Sequence, residues 1–147
     1  KRMQIPSRFT IATHMLIIIA LEGKESKVTS DFLAASVGVN PVIIRKTLSQ
    51  LKKAELISVA RGTGGTEIVK DLKDISLLDV YQAVECLGKT GQLFNFHDNP
   101  NPNCPVGAHI HEVLDQKLER IQLAMEAELG QTSLEQVVAD AESQMKD

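Results

Sequence analysis

The stretch that decides the fold is residues 40–69, NPVIIRKTLSQLKKAELISVARGTGGTEIV. Asn at an N-cap followed by Pro at the first helical position is a strong helix start, so Asn40 and Pro41 predict a helix to about residue 55. Residues 56–60 and 66–69 then predict two short strands, because apolar and β-branched residues dominate them. The glycine-rich residues between the strands predict a tight turn. The stretch therefore predicts a helix followed by a β-hairpin.

Two helices precede this stretch. Apolar residues at helical spacing predict the first helix over residues 8–22. A cap at Thr29 or Ser30 predicts a short second helix over residues 31–37, and Gly38 ends it. Three helices, a strand, a glycine turn and a strand follow one another as in a winged helix-turn-helix domain, so the expected fold class is mainly α. The apolar face of the second helix is predicted to contain Phe32, Leu33, Ala35, Ser36 and Val37.

The downstream sequence predicts further helices around an irregular stretch. Ser76 caps a fourth helix to about residue 85, and residues 88–103 are irregular because their Asn-Pro pairs disfavour helix. Pro105 opens a long helix to about residue 129, roughly 36 Å in length at 1.5 Å per residue. A final amphipathic helix ends near residue 145. The long helix carries an apolar stripe of Val106, Ile110, Val113, Leu114, Leu118, Ile121, Met125 and Leu129.

This apolar stripe needs a covering surface. A chain of 147 residues has little else to cover it, so pairing with the same helix of a second copy is the economical arrangement. The alternative is that the long helix folds back onto its own domain.

The composition excludes several classes of protein. A hydrophobic content of 43% with 24% charged residues is typical of a globular domain and not of a disordered chain. The longest apolar run, residues 15–21, is far shorter than the ~20 residues of a membrane-spanning helix, and the N-terminus has no signal-peptide pattern. Two cysteines are too few for a disulfide framework. A cytoplasmic location is the expectation.

Charge is distributed unevenly along the chain. Residues 1–70 carry 11 Lys or Arg and 5 Asp or Glu, whereas residues 71–147 carry 5 and 14. A basic first half favours contact with a polyanion, although the same charges can also cover an ordinary solvated surface. On the third helix, Arg45 and Lys46 are suited to base edges and phosphates, and Lys53, about two turns on, is better placed for phosphate.

Several motifs together resemble the Rrf-two family of winged-helix repressors. They are SRF at residues 7–9, the Asn40-Pro41 helix start, ARGTGG at 60–65, ISLLDVY at 75–81 and CPVG at 104–107. The family includes regulators of the IscR, NsrR and CymR type, and residues 99–107 look most like its YwnA-like branch. The resemblance covers residues 5–140, and the order and spacing of the motifs are more specific than any one of them.

The resemblance implies a homodimer that binds a palindromic operator in double-stranded DNA and represses transcription. It implies that the helix starting at Asn40 reads the major groove and that Arg61 enters the minor groove. The expected domains are a winged helix-turn-helix DNA-binding domain at 5–87, a sensor loop at 88–104, and the dimerisation helix with the C-terminal helix at 105–147. The expected DNA-binding residues are Arg8, Thr29, Asn40, Pro41, Val42, Arg45, Lys46, Ser49, Lys53, Arg61 and Thr63.

The cysteines depart from the family pattern. Members that bind an iron–sulfur cluster carry three closely spaced cysteines before the dimerisation helix, whereas here only Cys104 lies there and Cys86 lies upstream. One thiolate in that loop does not satisfy a cluster, so no cofactor is expected. Cys104 precedes Pro105 at a helix start, where free amide groups and the helix dipole stabilise a thiolate. We expect a redox sensor that forms a sulfenic acid and then a disulfide with Cys86 or the other subunit; an inert capping cysteine is the alternative.

Other functions draw on the same region. His97, Asp98, His109 and His111 are metal-ligand types near Cys104, but the last two histidines are two residues apart on a helix and point about 200° apart, so no metal site is expected. No phosphate cradle accompanies the Cys and His residues, so no enzymatic activity is expected. The runner-up function is a winged-helix protein-interaction module without specific DNA binding, which a steep salt dependence of DNA affinity would exclude.

Overall fold

The computed structural model describes residues 7–60, 65–84, 94 and 100–146. Three helices come first, and a two-stranded antiparallel sheet follows them. A single 3-10 turn, Leu72–Asp74, leads into the C-terminal helices. The elements in chain order are α1 Arg8–Glu22, α2 Ser30–Val37, α3 Pro41–Lys53, β1 Ile57–Val59, β2 Thr66–Ile68, α4 Leu77–Ala83, α5 Pro105–Ala108, α6 Ile110–Gln131 and α7 Leu134–Met145. The winged helix-turn-helix order predicted from the sequence is confirmed.

Side-chain caps start α2 and α3, as predicted. The Thr29 hydroxyl oxygen accepts a hydrogen bond from the Phe32 amide at 3.1 Å, and Asn40 Oδ1 accepts one from the Val42 amide at 2.8 Å. Gly38 ends α2 with φ +79°, a backbone conformation that favours glycine and turns the chain sharply into α3. The turn of the helix-turn-helix is therefore fixed by local chemistry at both of its ends.

The core lies between α1, α2, α3 and the later helices. The i, i+4, i+7 spacing of Ile44, Leu48 and Leu51 predicts the core face of α3, and all three are buried. The helix α1 contributes residues such as Met15 and Leu16. The predicted face of α2 is partly wrong, because Leu33 and Ala34 are buried while Phe32 is 43% exposed and Ala35 and Ser36 are also exposed. The predicted set covered most of the helix circumference, and packing on α1 and α3 can bury only one side of it.

The β-hairpin is tied to the segment between α1 and α2. Ile57 pairs with Ile68 and Val59 with Thr66, and the tip at residues 61–64 lies outside the described residues. At the turn end of the hairpin, the Thr66 amide donates to the Val28 carbonyl at 2.9 Å. A Cβ placed at Gly65 would lie 2.7 Å from the Val28 nitrogen, so this close approach requires glycine.

The starts of α4 and α7 are joined by a pair of reciprocal caps. Ser76 with Asp79 and Ser133 with Gln136 each form a capping box. Between them, the Leu77 amide donates to the Thr132 carbonyl at 2.9 Å and the Leu134 amide to the Ile75 carbonyl at 2.7 Å. We call this arrangement the double cap. The end predicted for α4 near residue 85 lies outside the described residues.

The C-terminal helix α7 packs against α1 and the 3-10 turn. Leu134 and Val138 belong to the same buried cluster as the residues of α1. The core of the N-terminal domain thus includes residues that the predicted division assigns to the last segment, and the division itself stays a prediction.

The long helix predicted from residue 105 to 129 is wrong in its continuity. The structure has one turn, α5, and then α6, with His109 between them at φ −121° and ψ 13°. A Cβ at Gly107 would lie 2.7 Å from the Asn101 carbonyl oxygen, so α5 is packed closely on the preceding loop. The His109 amide bonds to the Val106 carbonyl, three residues back instead of four. This tighter turn and the low helix propensity of glycine end the helix there. Among the described residues, no helix is both long and apolar enough to cross a membrane.

Candidate nucleic-acid interface

One side of α3 is fully presented to solvent. Helical spacing puts Val42, Arg45, Lys46, Ser49 and Lys53 on one side, and all five are exposed. We call these five residues the outer face of α3. The opposite side is buried in the core, so the helix is fixed in rotation and the outer face has a defined direction.

The cations of the outer face have no carboxylate partner in the described part of the chain. No ion pair there within 4.0 Å involves Arg45, Lys46 or Lys53. Unpaired surface cations remain available for an anionic ligand, and no internal pair has to be broken first. The arrangement can therefore hold phosphates and donate hydrogen bonds to the acceptors of base edges.

The caps decide what Thr29 and Asn40 can offer. Both side-chain oxygens are already accepting a backbone hydrogen bond at a helix start. The hydroxyl hydrogen of Thr29 and the amide hydrogens of Asn40 are the groups left to bond outward. Both predicted contact residues are exposed, and each is suited to donate to phosphate or to a base acceptor. Pro41, also exposed, lies at the first position of α3 and has no amide hydrogen to offer.

Lys27 was missed by the sequence reasoning. It lies in the connection between α1 and α2 and is exposed. A Cβ at Gly65 would be 3.0 Å from its Cα, so Lys27 stands beside the start of β2, at the turn end of the hairpin. A lysine in a polar loop gives no sequence signal of this position, which arises only from the packing. The two predicted contacts in the hairpin tip, Arg61 and Thr63, lie outside the described residues.

Arg8 differs from the cations of α3. It lies at the start of α1 and is half-buried, and within the described ranges its Nε atom is buried without a hydrogen-bond partner. The next residue, Phe9, packs edge-on against Tyr81 with ring centroids 5.8 Å apart. Arg8 is therefore held against the core, and its predicted contact with DNA stays a prediction.

Cys104 is an exposed free thiol at the start of α5. Its amide donates to the Asn101 carbonyl at 3.2 Å, which closes the turn before the helix. The expectation that it stands at the start of the long helix is wrong, because Cys104 precedes α5, which has only four residues. Cys86, its predicted partner, lies outside the described residues.

The histidines near Cys104 have partners of their own on α6. His109 lies 3.2 Å from Glu112, and His111 lies 3.3 Å from Asp115. No group of three or more His, Cys, Asp or Glu within the described ranges is arranged to hold a metal ion. His97 and Asp98 lie outside those ranges.

The helix α6 presents its apolar stripe to solvent. None of its residues is buried by the described remainder of the chain, and Ile121 is 51% exposed. It packs on α4 near its C-terminal end, where Leu78 lies 3.7 Å from the Cβ position of Gly130. The rest of the helix extends away from this contact without becoming part of the core.

A helix-turn-helix, a hairpin and an exposed cationic face on α3 define the class of winged helix-turn-helix proteins. The family model described as "Rrf2: Iron-dependent Transcriptional regulator" matches residues 5–140. The chain belongs to this Rrf2 family of transcriptional regulators, with its DNA-binding fold.

Relatives and solved structures agree with this assignment. YwnA of Bacillus subtilis (strain 168), named as an HTH-type transcriptional regulator, is 45% identical over 134 residues, which cover 91% of this chain and 96% of YwnA. A crystal structure described as a DNA binding protein is 40% identical with a TM-score of 0.70, covering 89% of this chain and 98% of that one. CymR of B. subtilis, 20% identical, shares the fold with a TM-score of 0.66 and covers 94% of this chain and 98% of its own.

The iron in the family description does not fit the residues present. Protein iron–sulfur sites are built mainly from thiolates, usually four. This chain has two cysteines, and the structure places Cys104 beside backbone and not beside further ligands within the described ranges. We derive no chemistry through iron for this chain, and the expected absence of a cofactor stays a prediction.

Proposed function

We propose that this protein acts as a homodimer that binds a palindromic operator in double-stranded DNA and represses transcription from it. The observation that carries the proposal is the outer face of α3. This face is exposed, its cations form no ion pair in the described ranges, and its rotation is fixed by a buried opposite side. A recognition helix docked by its N-terminal end needs these three properties.

The same docking assigns roles to the other predicted contacts. Asn40 and Thr29 donate to phosphate or base acceptors, and Lys53 neutralises phosphate further along the groove. Arg61 reaches the adjacent minor groove, which is favoured where A·T-rich sequence narrows it. The remaining predicted contacts are Arg8, Pro41, Val42, Arg45, Lys46, Ser49 and Thr63.

The exposed stripe of α6 supports the homodimer. An apolar stripe half-exposed along a 22-residue helix costs free energy in water, and a second copy can cover it symmetrically. Two recognition helices about 34 Å apart match two half-sites one turn of DNA apart, which is the symmetry of a palindrome.

Selection from random duplexes tests the proposal directly. Purified protein should enrich a palindromic site, and its affinity should fall with added salt at a slope of about −0.9 per phosphate neutralised. Arg45→Ala should weaken binding to the selected site more than Lys73→Ala does. Lys73 is an exposed cation on the 3-10 turn, which packs against α7. Enrichment of no sequence, with a flat salt response, would favour the protein-interaction module instead.

Repression has its own measurement. In transcription in vitro, the protein should reduce transcripts from a promoter that overlaps the selected site. The Arg45→Ala variant should leave the amount of transcript unchanged at the same protein concentration. An increase in transcripts would assign the protein as an activator. A repressor acts in the compartment that holds the DNA, so the proposed function supports a cytoplasmic location.

We also propose that Cys104 makes the repressor responsive to oxidants. Its thiolate attacks hydrogen peroxide: an S–O bond forms, the O–O bond breaks, and the products are a sulfenic acid and hydroxide. A second thiol, from Cys86 or the other subunit, then displaces water and forms a disulfide. Exposure of the thiol supports the first step. Peroxide should lower the DNA affinity of the native protein and leave the DNA affinity of Cys104→Ser unchanged. If peroxide lowers the DNA affinity of Cys104→Ser as much as that of the native protein, Cys104 is only a capping residue.

A further inference from the structure

An exposed valine on α3 remains after the charged and polar groups of the interface are accounted for. Val42 lies at the second position of α3 and is 62% exposed, more than any other large apolar residue of α2 or α3. A solvated valine at a helix start contributes nothing to the core. The question is therefore what its two methyl groups contact when the helix is bound.

The position of Val42 is set rigidly. Its amide is held by Asn40 Oδ1 at 2.8 Å, and Pro41 fixes the backbone just before it. A β-branched side chain in a helix has one strongly preferred rotamer, so the methyl groups have a defined direction. These methyl groups can therefore contact a ligand with little loss of side-chain entropy.

The neighbours of Val42 define the chemistry of its ligand. Arg45 and Lys46 lie three and four residues on, on the same side of the helix, and carry no internal ion pair in the described ranges. In the major groove, the thymine C5-methyl is the apolar group on a base edge, and guanine N7 and O6 are the acceptors that suit arginine. Three residues of helix rise about 4.5 Å, which lies between one and two base steps of ~3.4 Å.

We infer that Val42 reads the methyl group of a thymine, within two base steps of a guanine read by Arg45, in each half of the operator. The inference rests on the proposed function and adds to it the sequence chemistry of the site. Val42 is a specificity-determining residue because a contact with a methyl group distinguishes thymine from the other bases without any hydrogen bond.

Single thymine-to-uracil replacements test this contact. Uracil keeps the base pair and every hydrogen-bonding group of thymine and removes only the methyl. In the selected duplex, one replacement in one half-site should weaken binding by the native protein about fourfold, the value of one buried carbon group. The same replacement should change the affinity of Val42→Ala by less than about 1.5-fold, because the partner of the methyl is already gone.

A matched control separates this contact from a general loss. Val69→Ala makes the same substitution at a valine that is 53% exposed, lies just after β2 and is not part of α3. It should keep the fourfold response to uracil. Uracil responses that are absent, or that persist unchanged in Val42→Ala, would overturn the inference while the selected site still supports the proposed function. Failure to select any site would overturn both.

Discussion

Replacing Ile121 on α6 with alanine should separate dimer stability from the stability of the fold. Ile121 belongs to the apolar stripe and is 51% exposed in one chain, so about half of its surface remains for a partner to cover. The substitution removes three carbons from each copy. At ~0.8 kcal/mol per carbon, reduced by half because only half of the side chain is left to cover, each copy loses about 1 kcal/mol of dimerisation free energy. The symmetric dimer loses this twice, about 2 kcal/mol, which is roughly a 30-fold weaker dimer.

Analytical ultracentrifugation over a dilution series measures this change. The control is Leu123→Ala, which removes a side chain 57% exposed on the same helix but outside the stripe. Leu123→Ala should leave the dimer dissociation constant within about threefold of the native value. The apolar stripe of α6 is not the dimer contact if both variants weaken the dimer equally, or if the native protein sediments as a single chain at tens of micromolar.

Three further predictions concern DNA binding and stability. Lys53→Ala should weaken all duplexes alike and make the salt slope shallower by about 1.8 for a dimer, whereas Lys73→Ala leaves the slope unchanged. Arg61→Ala should lose affinity chiefly on sites with A·T-rich flanks; equal loss on all sites contradicts a minor-groove contact. Leu134→Ala should lower the free energy of unfolding by about 2–5 kcal/mol in urea titrations, because this fully buried residue joins α7 to the core. A loss below ~1 kcal/mol would mean that α7 is not part of the cooperative core.

Signals confined to a few neighbouring residues gave the correct helix starts. Residue type and spacing predict Asn40 and Ser76 as caps and Thr29 as one of two candidates, and these three side chains accept the expected hydrogen bonds. The buried stripe of α3 followed from its period alone. These features were predictable because the interacting groups lie within four residues of one another.

Features that depend on distant parts of the chain were missed. The end of α5 depends on how closely Gly107 approaches Asn101, and helical periodicity contains no information about that loop. The exposure of Phe32 follows from which side of α2 the neighbouring helices cover. Lys27 stands beside the hairpin because Val28 and Thr66 are hydrogen-bonded across 38 residues of sequence. None of these contacts can be predicted from the residues that neighbour it in sequence.

In the proposed dimer, the double cap has a mechanical consequence for the spacing between half-sites. It fastens the residues that follow α6 to the start of α4 through the Leu77-to-Thr132 and Leu134-to-Ile75 backbone bonds, so the domain must follow any tilt of α6. The 22 residues of α6 extend about 33 Å, and a tilt of about 6° over that length displaces its end by about one base-pair rise of 3.4 Å. Small angular differences at the crossing of two such helices therefore translate directly into whole base pairs of operator length.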